Sequence, residues 1–211
     1  MQTATAEIIP DRLAQITTLD RGSHDKLDGA FCVMEAVAYV TNEPWSDHPS
    51  CACPVITAFM VSWNDSLPQD ERDALLLPLI PKLVGTRGSK DLETRRSLMA
   101  ADWLVRTHTP AWLRLAGLTA QADTLEALPE ITAMAQVPSI RGPLEAVRRD
   151  ADAAWAAAGA AARDAAWAAA WDAAGAAAGA AAGAKLEPTK AALQQSALTL
   201  IERMIAVKES T

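Results

Sequence analysis

The chain has 211 residues, a formal net charge of −7 and three cysteines. That length suffices to bury a sizeable core, the acidic balance argues against a general nucleic-acid binder, and three cysteines exclude a complete disulfide framework. Met1 to Thr18 mixes Glu7, Asp11 and Arg12 among apolar residues, so no secretory signal is expected and the simplest compartment is the cytoplasm.

Residues 1–25 read as an N-terminal arm, with Pro10 starting a short helix through Leu13 and Ile16 and Asp20-Arg-Gly-Ser forming a turn. From Leu27 to Val40 the chain is nearly all apolar, with Glu35 as its one ionisable residue after Asp28, which predicts a helix buried on most faces. Asn42 to Ser50 is a loop stiffened by Pro44 and Pro49. Pro54 suits the first turn of a helix to about Asn64, with Val55, Ile56, Phe59, Met60 and Trp63 as its apolar side chains. Pro68 to Val84 predicts a helix with an acidic first turn (Asp70, Glu71), interrupted at Pro78 and Pro81. After the loop Gly85-Thr-Arg-Gly-Ser-Lys comes a helix over 91–108 with Leu92, Met99, Trp103 and Leu104 facing inward. Pro110–Ala116 and Thr119–Leu128 are short helices separated at Gly117, and Thr132 to Gly142 is a linker.

Between Ala151 and Ala184, 23 of 34 residues are alanine, and Trp155, Gly159, Arg163, Trp167, Trp171, Gly175, Gly179 and Gly183 fall at every fourth position. Alanine has the best helix propensity, so one long helix is expected from about Leu144 to Leu186. A four-residue repeat drifts about 40° per step round a helix, which excludes a fixed coiled-coil seam. Asp172 is the only charge over 165–184, but the leucine, isoleucine, valine and phenylalanine that favour insertion are missing, so no membrane span is expected. Pro188 is expected to break the helix. Leu193, Ala197, Leu200, Ile201 and Met204 then give a last helix over 189–207 one apolar stripe. With no strand pattern anywhere, the reading is all-α: an arm (1–25), a helical body (26–134), a linker and long Ala-rich helix (135–187), and a last helix (188–211) folded back on it as an antiparallel hairpin.

The densest polar group is the loop Glu43-Pro-Trp-Ser-Asp-His-Pro-Ser. There Trp45 suits stacking on a flat ring, and Asp47 and His48 suit hydrogen bonding or proton transfer. The alternative is a connector in which Ser46 or Asp47 caps a turn. Glu35, on an apolar helix, needs either an arginine from the helix at 91–108 or a ligand or acid–base role. Arg87, in a glycine-containing turn without Walker spacing, suits bidentate contact with a phosphate. Asp91, Arg95, Asp102 and Arg106 form one stripe of alternating sign, read as a salt-bridged solvent face or, with Trp103, as an arginine pair lining a pocket. Cys32, His48, Cys51 and Cys53 lack the usual zinc spacing, so the cysteines read as small buried hydrophobes and no metal, cofactor or catalytic residue is assigned.

The segment FCVMEAVAYVTNEPWSDHPSCACPVITAFMVSWNDSL, with LIPKLVGTR and DWLVRTHTPAWLRLAGL after it, resembles an uncharacterised group of actinobacterial and actinophage proteins, many with Ala/Trp/Asp-rich helical tails. The resemblance covers about residues 30–120 and implies no activity. A phage setting makes a counter-defence sponge for a nucleotide-derived host signal a natural expectation. The leading reading is therefore non-enzymatic binding of a small nucleotide-like ligand by Glu35, Trp45, Asp47, His48, Arg87 and Arg106, with homo-oligomers formed through the Ala-rich helix and no nucleic-acid or membrane partner. The alternatives are an oligomerising protein–protein interaction module, and a hydrolase or lyase using Glu35 or His48 as base.

Overall fold

The computed structural model describes residues 6–25, 29–168 and 173–209, with side chains throughout except at residue 155 and residues 157–182. The protein is all-α, and no strand occurs among the described residues. It divides into two compact units, Met1–Ser97 with Ile201–Thr211, and Leu98–Leu200. The boundaries drawn from sequence at 25/26, 134/135 and 187/188 are not where this division falls.

The first unit comprises α1 (Pro10–Leu13), α2 (Val33–Val40), α3 (Pro54–Ser66), α4 (Gln69–Leu76), a 3-10 turn at Leu77–Leu79, α5 (Ile80–Leu83) and the start of α6 (Lys90–Trp103). All residues of α2 except Tyr39 are buried, as expected of a helix apolar on most faces, and α1, α3 and α5 pack on it. Leu19, Ile56, Met60, Leu76, Ile80 and Leu83 are likewise fully buried, each contributing about 1.5–3 kcal/mol of burial free energy. Helix α2 starts at Val33 rather than near Leu27. A capping box fixes that start: Cys32 Sγ accepts from the Glu35 N–H (3.4 Å) and Glu35 Oε2 accepts from the Cys32 N–H (2.7 Å). Residues 26–28 lie outside the described ones.

Residues 6–25 are not a free arm. Ile16 and Leu19 are buried, the Ile9 N–H donates to the Val40 carbonyl (2.8 Å), and the Leu19 N–H donates to Asp73 (2.7 Å). Proline acts as expected at Pro54, which opens α3, and at Pro78 and Pro81, where the helix breaks into α4, the 3-10 turn and α5.

The second unit continues α6 through a π-helical turn (Leu104–His108) into α7 (Thr109–Leu115), then α8 (Thr119–Glu126), a 3-10 turn (Met134–Gln136), α9 (Val137–Ala168) and α10 (Ala173–Ala206) as far as Leu200. Leu98, Val105, Leu113, Ala122, Leu125, Ile131, Ile140 and Val147 form its core. No break separates the 91–108 helix from the Pro110 helix. Pro110 has no N–H to give back to the preceding turn, and at the π-helical turn the Leu104 carbonyl accepts from both the N–H and the hydroxyl of Thr109 (2.8 Å to the hydroxyl). Leu104, expected inward, is 50 % exposed.

Three further expectations are corrected. The segment 132–142 is not a linker throughout, because α9 begins at Val137 and contains Pro143. Nor does Pro188 end a helix: α10 runs through it, and the Ala184 carbonyl left without a donor belongs to an exposed residue that water reaches. The single helix expected over 144–186 is described as α9 and the first part of α10, with residues 169–172 between them outside the described ones. The stripe Leu193, Ala197, Leu200, Ile201 and Met204 is buried throughout. The hairpin packing expected on the Ala/Gly surface around Gly175 to Gly183, and the separate partner expected for Trp155, Trp167 and Trp171, rest on side chains that lie almost wholly outside the described ones. No helix among the described residues is long and apolar enough to cross a membrane.

Candidate functional site

Glu35 is the best-determined polar group of the first unit. The capping box points its carboxylate back over the start of α2, where it meets His24. Oε1 accepts from the His24 N–H (2.7 Å), and Oε2 is 2.9 Å from His24 Nδ1. The partner expected from sequence was an arginine of the 91–108 helix, and the structure supplies a histidine from the turn before α2. Glu35 is 1 % exposed and His24 15 % exposed. With Nδ1 held by a buried carboxylate, the ring is oriented and Nε2 is the nitrogen left for a ligand.

Two features place His24. The turn at Asp20-Arg-Gly-Ser takes Gly22 to φ +88°, and the Gly22 N–H donates to Asp65 (2.8 Å). From the other side, Trp45 Nε1–H donates to the His24 carbonyl (2.7 Å) while its ring lies against Phe31 (5.3 Å between centroids). Trp45 is therefore a support for His24, not a free stacking platform.

His24 borders an open cleft of about 680 Å³, whose other polar edges are Asp20, Arg21, Asp65, Ser66, Gln69 and Arg72. Arg72 is 4 % exposed, and its guanidinium donates to the carbonyls of Asn64 (2.9 Å), Leu19 (3.2 Å) and Leu67 (2.7 Å) and to Gln69 Oε1 (2.6 Å). Its charge is met by dipoles, and among the described residues it forms no ion pair with a carboxylate. Arg21 is exposed and has neither an ion pair nor a hydrogen-bond partner among the described residues. The cleft thus offers one oriented imidazole and two cations to a polar ligand, with Asp20 and Asp65 limiting how much negative charge it tolerates.

Comparison of the chain with family models, with curated proteins and with solved structures finds no match.

Of the six residues expected from sequence, Glu35 and Trp45 converge on His24. Asp47 and His48 pair with each other (2.6 Å) on the surface, with His48 67 % exposed, and neither lines the cleft. Ser46 Oγ accepts from the His48 N–H (2.9 Å), as in a capped connector. Glu43 closes that loop by accepting from the Ser50 (2.5 Å) and Cys51 (2.9 Å) N–H groups. Burial raises the Glu43 pKa, but these bonds from Cys51 and Ser50 outweigh it and hold the carboxyl below its usual range. Arg87 belongs to a separate cavity and is 3.7 Å from Glu93. Arg106 is in the other unit, paired with Asp102 (3.1 Å), with its buried Nε making no hydrogen bond among the described residues.

The three cysteines are buried thiols, and burial pushes Cys32 up to about 12, away from nucleophilic thiolate chemistry. Among the described residues no group of three His, Cys, Asp or Glu side chains is placed to hold a metal. His24, Arg21 and Arg72 were missed from sequence. The one available signal for His24 was that a buried Glu35 requires a partner and the chain offers only three histidines.

Proposed function

We propose that the protein binds a small phosphate-bearing, nucleotide-like ligand in the first-unit cleft and releases it unchanged. The observation that carries this reading is His24, which borders the cleft and is held at Nδ1 by buried Glu35. Arg21 supplies a free guanidinium for bidentate contact with a phosphate, and Arg72 contributes a buried positive field. Leu67 and Pro68 give the cleft its apolar edge. In the phage setting suggested by the sequence resemblance, such a binder is a sponge for a nucleotide signal. Association of copies through the Ala-rich helices is proposed with it, and a native mass spectrum showing monomer alone overturns that part.

Calorimetric titration with inorganic phosphate, AMP and a cyclic dinucleotide tests the binding. A nucleotide is expected to bind at least tenfold more tightly than phosphate, to be recovered intact by mass spectrometry, and to lose at least tenfold in affinity with His24→Ala or Arg21→Ala. Absence of binding to all three probes overturns the reading. Recovery of a chemically altered nucleotide replaces it with the second one, which the same pair favours: a hydrolase or lyase with His24, rather than His48, as base and Glu35 as its orienting carboxylate.

A further inference from the structure

The loop Gly85-Thr-Arg-Gly-Ser has the composition of an anion cradle, and in the structure an anion occupies it, supplied by the chain itself. Ser89 caps α6, its Oγ accepting from the Leu92 N–H (3.2 Å). The Glu209 carboxylate accepts from the Ser89 N–H (2.8 Å) and from the Ser89 hydroxyl (2.5 Å). One turn further along α6, Arg95 donates to the Lys208 carbonyl (2.7 Å) and Arg96 Nε to the Met204 carbonyl (2.8 Å). Met204 belongs to the last turn of α10, whose carbonyls lack helical donors, so buried Arg96 is its C-terminal cap. Gly88 permits the approach, since a Cβ there would lie 3.0 Å from Glu209 Oε1 and 2.6 Å from Leu92 Cδ2. Beneath these contacts is a cavity of about 270 Å³ bordered by Lys82, Thr86, Arg87, Leu92, Ile205 and Val207.

Residues 201–211 belong to the first unit although more than a hundred residues separate them from the rest of it. Ile201 and Met204 are fully buried there, Glu202 pairs with Lys82 (2.8 Å), and beyond Met204 half-buried Ile205 and Val207 join the polar contacts just described. We infer that residues 201–209 form a latch that docks on the first unit and detaches from it as one piece, with the Glu209 carboxylate on Ser89 as its catch. Detachment is a local opening that leaves α2 and its neighbours folded. The two Ser89 bonds, and after them the charges of Arg96 and Arg95, hold the Glu209 carboxyl below its usual range; with the Lys82–Glu202 ion pair these charge contacts make closure weaken as salt screens them. Glu93, paired with Lys90 and Arg87, is the opposing negative charge on α6.

Hydrogen exchange of the full chain, read by mass spectrometry, tests the latch. Ser89→Ala and Glu209→Gln are each expected to speed exchange over residues 201–207 at least tenfold while residues 33–40 exchange as in the parent. In the parent, 1 M NaCl acts in the same direction. Unchanged exchange over 201–207 in both variants overturns the role of the catch. Exchange over 33–40 that rises in step with 201–207 overturns the latch as a separately moving piece.

Discussion

Replacing Glu35 by glutamine keeps its volume and removes its ability to accept at both ends. The carboxylate serves three donors: the His24 N–H, the Cys32 N–H and His24 Nδ1. Glutamine has one accepting oxygen. Placed at the Oε2 position it leaves its amide facing the His24 N–H, and flipped it faces the Cys32 N–H. Either way a main-chain donor at a site 1 % exposed loses its acceptor. Such a donor costs about 1–3 kcal/mol, and the remaining bonds weaken because the acceptor is no longer charged. The sum is about 2–4 kcal/mol. A domain of 60–100 residues loses about 4–8 °C of Tm per kcal/mol, so the first unit should unfold on the order of 10 °C lower. His24→Ala leaves both main-chain bonds to Glu35 in place and removes one bond to a charged group, so it should cost less than Glu35→Gln, at the lower end of about 1.5–3 kcal/mol. Thermal unfolding followed by far-ultraviolet circular dichroism compares the two. A Glu35→Gln protein melting within about 2 °C of the parent, or a His24→Ala protein falling as far as Glu35→Gln, refutes the three-donor account.

The remaining predictions concern other elements. Arg96→Met strips the Met204 and Thr86 carbonyls of a buried donor and should destabilise by about 2–5 kcal/mol in urea unfolding, whereas a change under about 1 kcal/mol contradicts the capping role. Pro188→Ala should raise the melting temperature, because proline inside an exposed helix costs up to about 3 kcal/mol relative to alanine, and a lower melting temperature would show that the helix does not run through this position. On the π-helical turn, burial lowers the His108 pKa below 6.5, and its Nε2 accepts from Trp112 Nε1–H (3.2 Å). The unfolded chain then binds more protons than the native one below pH 6.5, so stability should fall as pH drops from there towards the native pKa. That slope should flatten in His108→Asn, and parallel urea stabilities of parent and variant at pH 5 and 7.5 would remove the cause assigned.

What was legible in the sequence was written in local chemistry. Apolar patterning identified α2 as a surrounded helix, Pro54 opened α3, and the spacing of Leu193, Ala197, Leu200, Ile201 and Met204 marked a buried stripe. Proline was read less well once inside a helix. At Pro143 and Pro188 a single lost hydrogen bond is tolerated because the carbonyls left without a donor belong to exposed Ser139 and Ala184, and the rule that proline ends a helix overstates its effect there. The site was half legible. Glu35 announces itself as a carboxylate in apolar surroundings, but His24 reaches it only through the reversal at Gly22. Arg72 left no mark at all, because its partners are main-chain carbonyls, which every residue possesses. The polar loop at 43–50 attracted the functional reading by composition, yet its carboxylates mostly close the loop on itself.

The discontinuity of the first unit has a consequence for how the protein is made. Residues 1–97 emerge from the ribosome without Ile201 and Met204, which follow after roughly 5–20 s at synthesis rates of about 5–20 residues per second. During that interval the surface that Ile201 and Met204 later cover is open to solvent and to other nascent chains. The second unit is one continuous run and can fold while the first is still waiting. Slower translation of residues 98–200 therefore lengthens the exposure of the earlier unit without affecting the later one, which makes this span the one where codon choice and chaperone supply bear most on yield.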